Sequence, residues 1–185
     1  MVEWKGFDLF FSTGIPNIVL LLSMIVTTLV IVGGLLCWHV KNKMNYTLWV
    51  LVVEYGFVVL CSTVICREEI TCGFDRIQLT PFWTYMAVFN HTPGVSVWDI
   101  MLNIVLFLPL GLLIKLIYPS ITFGKMIMIA FVCSLGIEVS QFLFCKGISQ
   151  IDDVIHNTIG AAVGWGFAKI SMTVSQRIMR NNREL

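Results

Sequence analysis

Residues 100–118 read IMLNIVLFLPLGLLIKLIY, and Lys115 is the only charged side chain in this stretch. A helix of about 20 apolar residues is long enough to cross the ~30 Å hydrocarbon layer of a bilayer. A helix also satisfies its own backbone hydrogen bonds, which lipid cannot do. The stretch therefore predicts a membrane span, ended by Lys115, whose ammonium group can reach the interface.

Four further stretches share this character. Residues 18–36 lie within a run, 9–40, that has no Lys, Arg, Asp or Glu, and residues 46–66, 126–145 and 154–176 have one each. The run exceeds the apolar region of a signal peptide, about 7–15 residues, and carries mixed charge before it, so we interpret it as a retained helix.

The composition of the whole chain agrees with this interpretation. Of its 185 residues, 57% are hydrophobic and 12% are charged, about half the charge of a soluble domain, and the net charge is +1. These values exclude a disordered chain and a basic nucleic-acid-binding arm. We predict an all-α, polytopic transmembrane helical bundle with about five spans, forming a single membrane domain over residues 1–185.

Residues 77–98 have no Lys, Arg, Asp or Glu, but they mix aromatic side chains with prolines and amides. That mixture is typical of the headgroup region. We predict an interfacial or re-entrant segment here, with a sixth span as the less favoured alternative. Residues 1–16 are rich in Phe and have a similar interfacial character.

Basic residues predict the orientation, because cytoplasmic loops are enriched in them. With five spans, eight of the twelve Lys and Arg residues fall on the side of the C-terminus. We therefore expect a multi-pass protein of the cell membrane with an external N-terminus and a cytoplasmic C-terminus. Cys66 and Cys72 share a predicted external loop, where they either pair or remain thiols. The other cysteines, including Cys145, are interpreted as packing residues.

A polar cluster lies on the span at 126–145. Ser134, Glu138 and Gln141 follow the spacing i, i+4, i+7, which places them on one helix face. A carboxyl group at that depth must be paired, hydrated or protonated. Two roles are open for Glu138: it either forms a hydrogen bond that fixes helix packing or belongs to a functional site.

A second cluster opens the span at 154–176. Asp153, Asn157, Gly160 and Gly164 share a face, and the two glycines form a small-xxx-small pattern that allows close helix contact. We expect that contact to press Asp153 and Asn157 against a neighbour, with the Glu138 face as the candidate. Asp152 or Asp153 can instead cap the helix.

Other polar residues complete the set. Asp99 and Asn103 lie one turn apart at the same predicted membrane side. Glu54 lies deeper and is either a buried hydrogen-bonding group or a functional acid. His156 lies off the polar face of its helix and is interpreted as an interfacial bystander. No spacing of Cys and His matches a zinc site. Carboxylates and amide oxygens suit Mg²⁺ or Ca²⁺, and the cofactor stays unknown at this point.

Together these motifs resemble the VanZ-like membrane proteins over residues 76–167. The resemblance rests, in chain order, on Leu79-Thr-Pro81-Phe82, on Asn103 with Phe107-Leu-Pro109-Leu-Gly111, on Ser134, Glu138 and Gln141, and on Asp152-Asp153, Asn157, Gly160 and Gly164. Gln78 stands where the family usually has Asn. Gly147 and Gln150 stand where it often has Arg and Asp, and Lys146 is a candidate to replace the charge of that Arg.

The resemblance implies a cell-envelope protein of the kind linked to teicoplanin-type glycopeptide resistance in Gram-positive bacteria. The first hypothesis is that the protein has an externally facing polar pocket, which binds a lipid headgroup, a cell-wall precursor or a glycopeptide. Glu138 and Asp153 are then the candidate catalytic groups, and the candidate ligand-binding residues are Asn103, Gln141, Asp152, Asn157 and Asp99. The other classes are a non-enzymatic scaffold or binding subunit and a small transporter, so enzymatic activity stays open.

Overall fold

The computed structural model describes residues 43–65, 67 and 72–182. This part of the chain contains the α-helices α1 Lys43–Leu60, α2 Trp83–Phe89, α3 Val97–Ile117, α4 Phe123–Leu143 and α5 Ile151–Asn181. A π-helical turn, Cys61–Ile65, continues α1. Two short strands, β1 Ile77–Gln78 and β2 Ser149–Gln150, pair in parallel. The expected span at 18–36 and the expected interfacial segment at 1–16 lie outside the described residues.

Three helices of the described part are long and apolar enough to cross a membrane: Met44–Ile65, Val97–Ile117 and Phe123–Leu143. They correspond to the spans expected at 46–66, 100–118 and 126–145. α5 covers the span expected at 154–176, but it does not belong to this apolar set. Its polar side chains and glycines make it less apolar than the others. The helical fold is thus confirmed, whereas the number of five spans stays a prediction.

The segment expected to be interfacial or re-entrant contains β1 and α2, joined by tight turns. α2 has seven residues, so its length is about 10 Å. Phe82, before the helix, and His91, after it, both have positive φ, 62° and 53°. A helix of this length cannot cross the hydrocarbon layer, so the structure gives no sixth span in this segment.

The most extensive helix contact joins α3 and α5. A Cβ added to Gly160 would overlap the carbonyl oxygen of Ile104, and one added to Gly164 would overlap that of Leu108. Gly111 meets the backbone of Ala161 in the same way from the opposite helix. The close contact expected from the glycine pattern is present. Its partner is α3 rather than the Glu138 face of α4, because the backbone of α3 fills the space that the glycines leave.

At the other end of α3, a buried lysine closes the turn into α4. Lys115 Nζ donates to the carbonyl oxygens of Pro119 and Ile121, and it lies 5.1 Å from the centroid of the Trp165 ring. Trp165 Nε1 also donates to the Ile121 oxygen, at 3.2 Å. The ammonium group therefore binds the loop backbone and an aromatic face, and this side chain is 7% exposed.

A disulfide joins Cys72 to Cys145, with the two Cα atoms 5.1 Å apart. Neither alternative for Cys72, a bond to Cys66 or a free thiol, is therefore right, and the interpretation of Cys145 as a packing residue is wrong. The reason is tertiary: the pairing of β1 with β2 brings the segments before both strands together. Cys66 itself lies outside the described residues.

Candidate functional site

The polar residues collect at one end of the helices, where α1 and α4 finish and α3 and α5 begin. Ser134, Glu138 and Gln141 are 0%, 6% and 2% exposed, so the face expected on α4 is buried. The side chains of α3 and α5 that were expected to accompany them start from the same end. The antiparallel order of the helices thus places the predicted site residues at similar depth.

Hydrogen bonds to Glu138 join β2 to α4. Its Oε2 accepts a hydrogen bond from the backbone N–H of Gln150, at 2.8 Å, and Ser149 Oγ donates to the Glu138 carbonyl oxygen at 2.8 Å. Oε1 has no hydrogen bond to any residue that the structure describes. One oxygen of this carboxyl group therefore holds β2 against α4.

Gln141 joins α4 to the π-helical turn after α1. Its Nε2 donates to the carbonyl oxygen of Thr63 at 2.9 Å. The irregular turn leaves backbone carbonyls without their usual α-helical donors, and Gln141 satisfies one of them. Gln141 Oε1 is buried and has no partner among the described residues.

Asp153 and Asn157 bridge α5 to two different helices. Asp153 Oδ1 accepts a hydrogen bond from Asn103 Nδ2 of α3 at 2.7 Å, and Asn157 Nδ2 donates to Ser134 Oγ of α4 at 2.8 Å. Asn157 thus meets the polar face of α4, as expected, whereas Asp153 turns to α3. Asn157 Oδ1 is buried without a partner in the described part of the chain.

The electrostatic environment of Asp153, which precedes the expected span 154–176, favours its neutral form. Burial is the main cause that raises the pKa of its carboxyl group from 3.8 to about 6. The carboxylates of Asp99 and Asp152 raise this pKa further, whereas the guanidinium of Arg67 and the hydrogen bond from Asn103 oppose the shift. The carboxyl group can therefore gain or lose a proton close to neutral pH.

Asp152 caps the N-terminus of α2, a role that the sequence did not indicate. Its two oxygens accept hydrogen bonds from the backbone N–H groups of Phe82, at 2.6 Å, and Thr84, at 2.7 Å. The residue is 2% exposed. It therefore caps α2 rather than its own helix, because α5 begins directly beneath the first turn of α2. Both oxygens that were expected to bind a ligand are occupied.

Asp99 lies at the exposed edge of the cluster. Its Oδ2 accepts hydrogen bonds from Ser96 N, at 2.7 Å, and from Ser96 Oγ, at 3.3 Å. These bonds form a capping box at the start of α3. Asp99 reaches Asp153 through its charge rather than through a direct contact.

A pocket of about 160 Å³ lies beside Glu138, and we call it the Glu138 pocket. Apart from Glu138 and the two residues of β2, Ser149 and Gln150, its wall is apolar. The apolar residues are Ile77, Leu79, Leu135, Val139, Phe142, Ile151 and Val154. Of the seven predicted site residues, only Glu138 lines it. The other six form hydrogen-bonded pairs and caps, so the predicted residues do not converge on one polar pocket.

Arg67 is a site residue that the motifs missed. Its guanidinium interacts electrostatically with Glu138 and with Asp153. It packs against Gly147, where a Cβ would lie 2.7 Å from Arg67 Nε and where φ is +104°. The sequence held one sign of this contact: Gly147 stands where the family often has Arg. A glycine there leaves space for a cation from elsewhere in the chain.

Two further polar residues have defined positions. His156 is 0% exposed, and its Nε2 lies 3.0 Å from the Tyr85 hydroxyl, so it joins α5 to α2 and is not a bystander. Glu54 is half-buried, and its Oε1 has no partner among the described residues. In that same part of the chain, no group of three His, Cys, Asp or Glu side chains is arranged to hold a metal ion.

The described part of the chain is helical, with three helices that are long and apolar enough to cross a membrane and a buried polar network at one end. The chain belongs to the VanZ/LLP1 family, whose family model matches residues 18–172. It is also similar to Protein VanZ of Enterococcus faecium, with 39% identity over 88 residues. That match covers 48% of this chain and 49% of the relative, so the chain spans about half the length of this curated relative. No solved structure matches the chain.

Proposed function

We propose that this chain is a VanZ-like integral membrane protein of the bacterial cell envelope that receives the polar part of an amphiphile at the Glu138 end of its helices. The amphiphile is a lipid headgroup, a cell-wall precursor or a glycopeptide, and the outcome is a contribution to teicoplanin-type glycopeptide resistance. Membership of the VanZ/LLP1 family and the similarity to Protein VanZ support this assignment.

The orientation proposed from the basic residues puts this end outside the cell, with the N-terminus external and the C-terminus cytoplasmic. The Cys72–Cys145 disulfide supports that choice, because it lies at the same end as Glu138. Disulfides persist in oxidising compartments and are rare in the cytosol. An external site also suits ligands of the cell wall.

The observation that carries the proposal is Glu138 itself. The residue is 6% exposed, yet Oε1 lacks a partner among the described residues, and Asp153 lies within electrostatic range. A largely buried carboxyl group is costly for stability unless both of its oxygens find hydrogen-bond partners. It is useful if a ligand supplies the missing donor. In a catalytic role, Glu138 would act as general base and Asp153 as its acidic neighbour.

The alternative is a scaffold or binding subunit without catalysis, and a specific observation favours it. The Asn103–Asp153 and Asn157–Ser134 pairs and the capping bonds of Asp152 all lie within the protein. Such bonds hold membrane helices together and need no ligand. In this case substitutions at the pairs reduce the amount of folded protein, and function falls in proportion.

The test is the teicoplanin inhibitory concentration for a susceptible Gram-positive host that expresses the chain. We expect the wild-type chain to raise this concentration at least about fourfold, and Glu138→Gln and Asp153→Asn to abolish the rise. The matched control is Asp75→Asn, at an exposed carboxylate, which should keep the full rise.

Immunoblots of the membrane fraction separate the two functions. Loss of resistance at unchanged protein level supports a ligand-binding or catalytic Glu138. Loss that follows a lowered protein level supports the scaffold. Full resistance in both variants would remove Glu138 and Asp153 from the site, and no rise with the wild-type chain would refute the resistance assignment.

A further inference from the structure

The C-terminal part of α5 continues past the helices against which it packs. Ala168 is the last buried residue of α5, and residues 173–182 are all exposed. We call residues 169–181 the α5 extension. At 1.5 Å per residue, this part of the helix is about 20 Å long. It therefore offers a surface on which a partner can bind.

Two sides of the α5 extension differ in character. Ile170, Val174 and Ile178 follow the spacing i, i+4, i+8, which places them on one side of the helix, and all three are exposed. Lys169 and Arg177 lie about two turns apart on a second side. A helix with an apolar side and a basic side is typical of a membrane interface.

No carboxylate balances the basic side of the α5 extension. The sequence has no Asp or Glu in residues 154–183, and none in residues 100–137, which include most of α3 and the loop after it. The Lys169 ammonium lies 5.0 Å from the centroid of the Trp165 ring. Among the described residues, neither Lys169 nor Arg177 has a carboxylate partner. This end of the protein therefore attracts anions.

The α5 extension begins at the depth of a membrane surface. α3 and α4 are long and apolar enough to cross a membrane, so the loop between them lies at an interface. α5 runs parallel to α3, because Asp153 bonds to Asn103 near one end and Trp165 contacts Lys115 near the other. Lys169 follows one turn after Trp165, about 6 Å further from the hydrocarbon layer. Its ammonium group therefore lies among the lipid headgroups.

We propose that the α5 extension binds the headgroups of anionic phospholipids. The Lys169 ammonium donates to a lipid phosphate, and Arg177 adds its charge about 12 Å further along the helix, about one Debye length away. The acyl chains pack against Phe167 and Ile170, which are 58% and 64% exposed. This inference goes beyond the proposed function, since it needs the membrane location but not the Glu138 end.

Two observations favour lipid over a protein as the partner. A second copy of the chain, packed on the same surface, would bring identical basic side chains together, and like charges repel. The apolar side of the extension also continues an exposed apolar side of α5, through Val163 and Phe167, at the spacing i, i+4, i+7 to Ile170. Lipid that covers this side of α5 in a membrane therefore reaches the extension without a break.

The test is a competition between two lipids for the full chain in a nonionic detergent. Phosphatidylglycerol and phosphatidylcholine with identical acyl chains are added in equal amounts, and native mass spectrometry identifies the first lipid that stays bound. We expect phosphatidylglycerol to be bound at least about fivefold more often. Equal binding of the two lipids would overturn the inference and would leave an acidic protein as the partner of this surface.

Variants locate the preference on the extension. Lys169→Gln combined with Arg177→Gln removes two charges from exposed side chains and should reduce the preference to less than about twofold. Lys169→Arg combined with Arg177→Lys keeps both charges and should keep the preference. The control Arg76→Gln, beside β1 at the opposite end of α5, should keep it as well. An undiminished preference in the neutral double variant would place the lipid elsewhere and refute the inference.

The two proposals fail separately. If both lipids bind equally but the wild-type chain raises the teicoplanin inhibitory concentration through Glu138, the lipid surface is wrong and the proposed function stands. If phosphatidylglycerol binds through Lys169 and Arg177 but the chain gives no resistance, the lipid surface stands and the proposed function is wrong.

Discussion

Gly160→Ala is expected to separate α3 from α5 and to lower the free energy of unfolding markedly. The new Cβ would overlap the carbonyl oxygen of Ile104, which belongs to a helix backbone and cannot rotate away. Overpacking of this kind costs about 1–3 kcal/mol. The shift also strains the hydrogen bond from Asn103, the residue before Ile104, to Asp153, and a bond to a charged group contributes about 1.5–3 kcal/mol.

Helix propensity acts in the opposite direction, because alanine is better than glycine by about 1 kcal/mol in a helix interior. The net loss for Gly160→Ala is therefore about 2–4 kcal/mol. Gly166 is the matched control: it lies on the same helix, and its added Cβ would meet nothing within 4 Å. Gly166→Ala should be neutral or more stable by up to about 1 kcal/mol.

The assay is reversible unfolding of the full chain in mixed micelles, with the free energy extrapolated to zero denaturing detergent. A difference of about 2–5 kcal/mol between the two variants is expected. If Gly160→Ala and Gly166→Ala unfold at the same detergent fraction, α3 and α5 do not approach as closely as described.

The remaining predictions concern the disulfide, the α2 cap and the pH dependence of stability. Cys145→Ser removes the disulfide between residues 73 positions apart and should lower the free energy of unfolding by about 2–4 kcal/mol. Cys72→Ser should have the same effect. A larger loss in the double variant would contradict their pairing. Asp152→Ala removes the acceptor of two backbone N–H groups, including that of Thr84, and should lower the free energy of unfolding by about 2–3 kcal/mol. Proteolysis at α2 should become faster. An unchanged cleavage rate would argue against the cap. Because the folded-state pKa of Asp153 is raised to about 6, its contribution to stability is greatest below pH 4 and is lost as the pH rises to 6. Asp153→Asn should flatten unfolding profiles measured over this range by at most about 3 kcal/mol, and an identical slope in the variant would show that another group titrates.

Much of the helical framework could be predicted from composition. Apolar runs of about 20 residues are set by bilayer thickness, so the helices Met44–Ile65, Val97–Ile117 and Phe123–Leu143 fall where the runs fall. The glycines of α5 likewise indicated a close helix contact. Its partner was not predictable, because small residues on α5 allow approach by any neighbouring backbone, and α3 rather than α4 occupies that side.

The candidate site was predictable in its residue types and less so in their roles. Spacing placed Ser134, Glu138 and Gln141 on one face, and all three are buried. It could not show that Asp152 caps α2, since the donors lie about 70 residues earlier in the chain. Arg67 was not predicted for the same reason, because its guanidinium comes within electrostatic range of Glu138 only when the chain folds.

The sequence by itself determined that this chain is built from apolar helices with a few costly polar side chains, because hydropathy and helix periodicity are local properties of the chain. Only the tertiary structure decided which of those side chains have partners. Hydrogen bonds satisfy Asp152 and join Asn103 to Asp153, and they leave Glu138 Oε1 unbonded among the described residues. A hydrogen bond depends on distances between residues far apart in sequence, so it is fixed only when the helices pack.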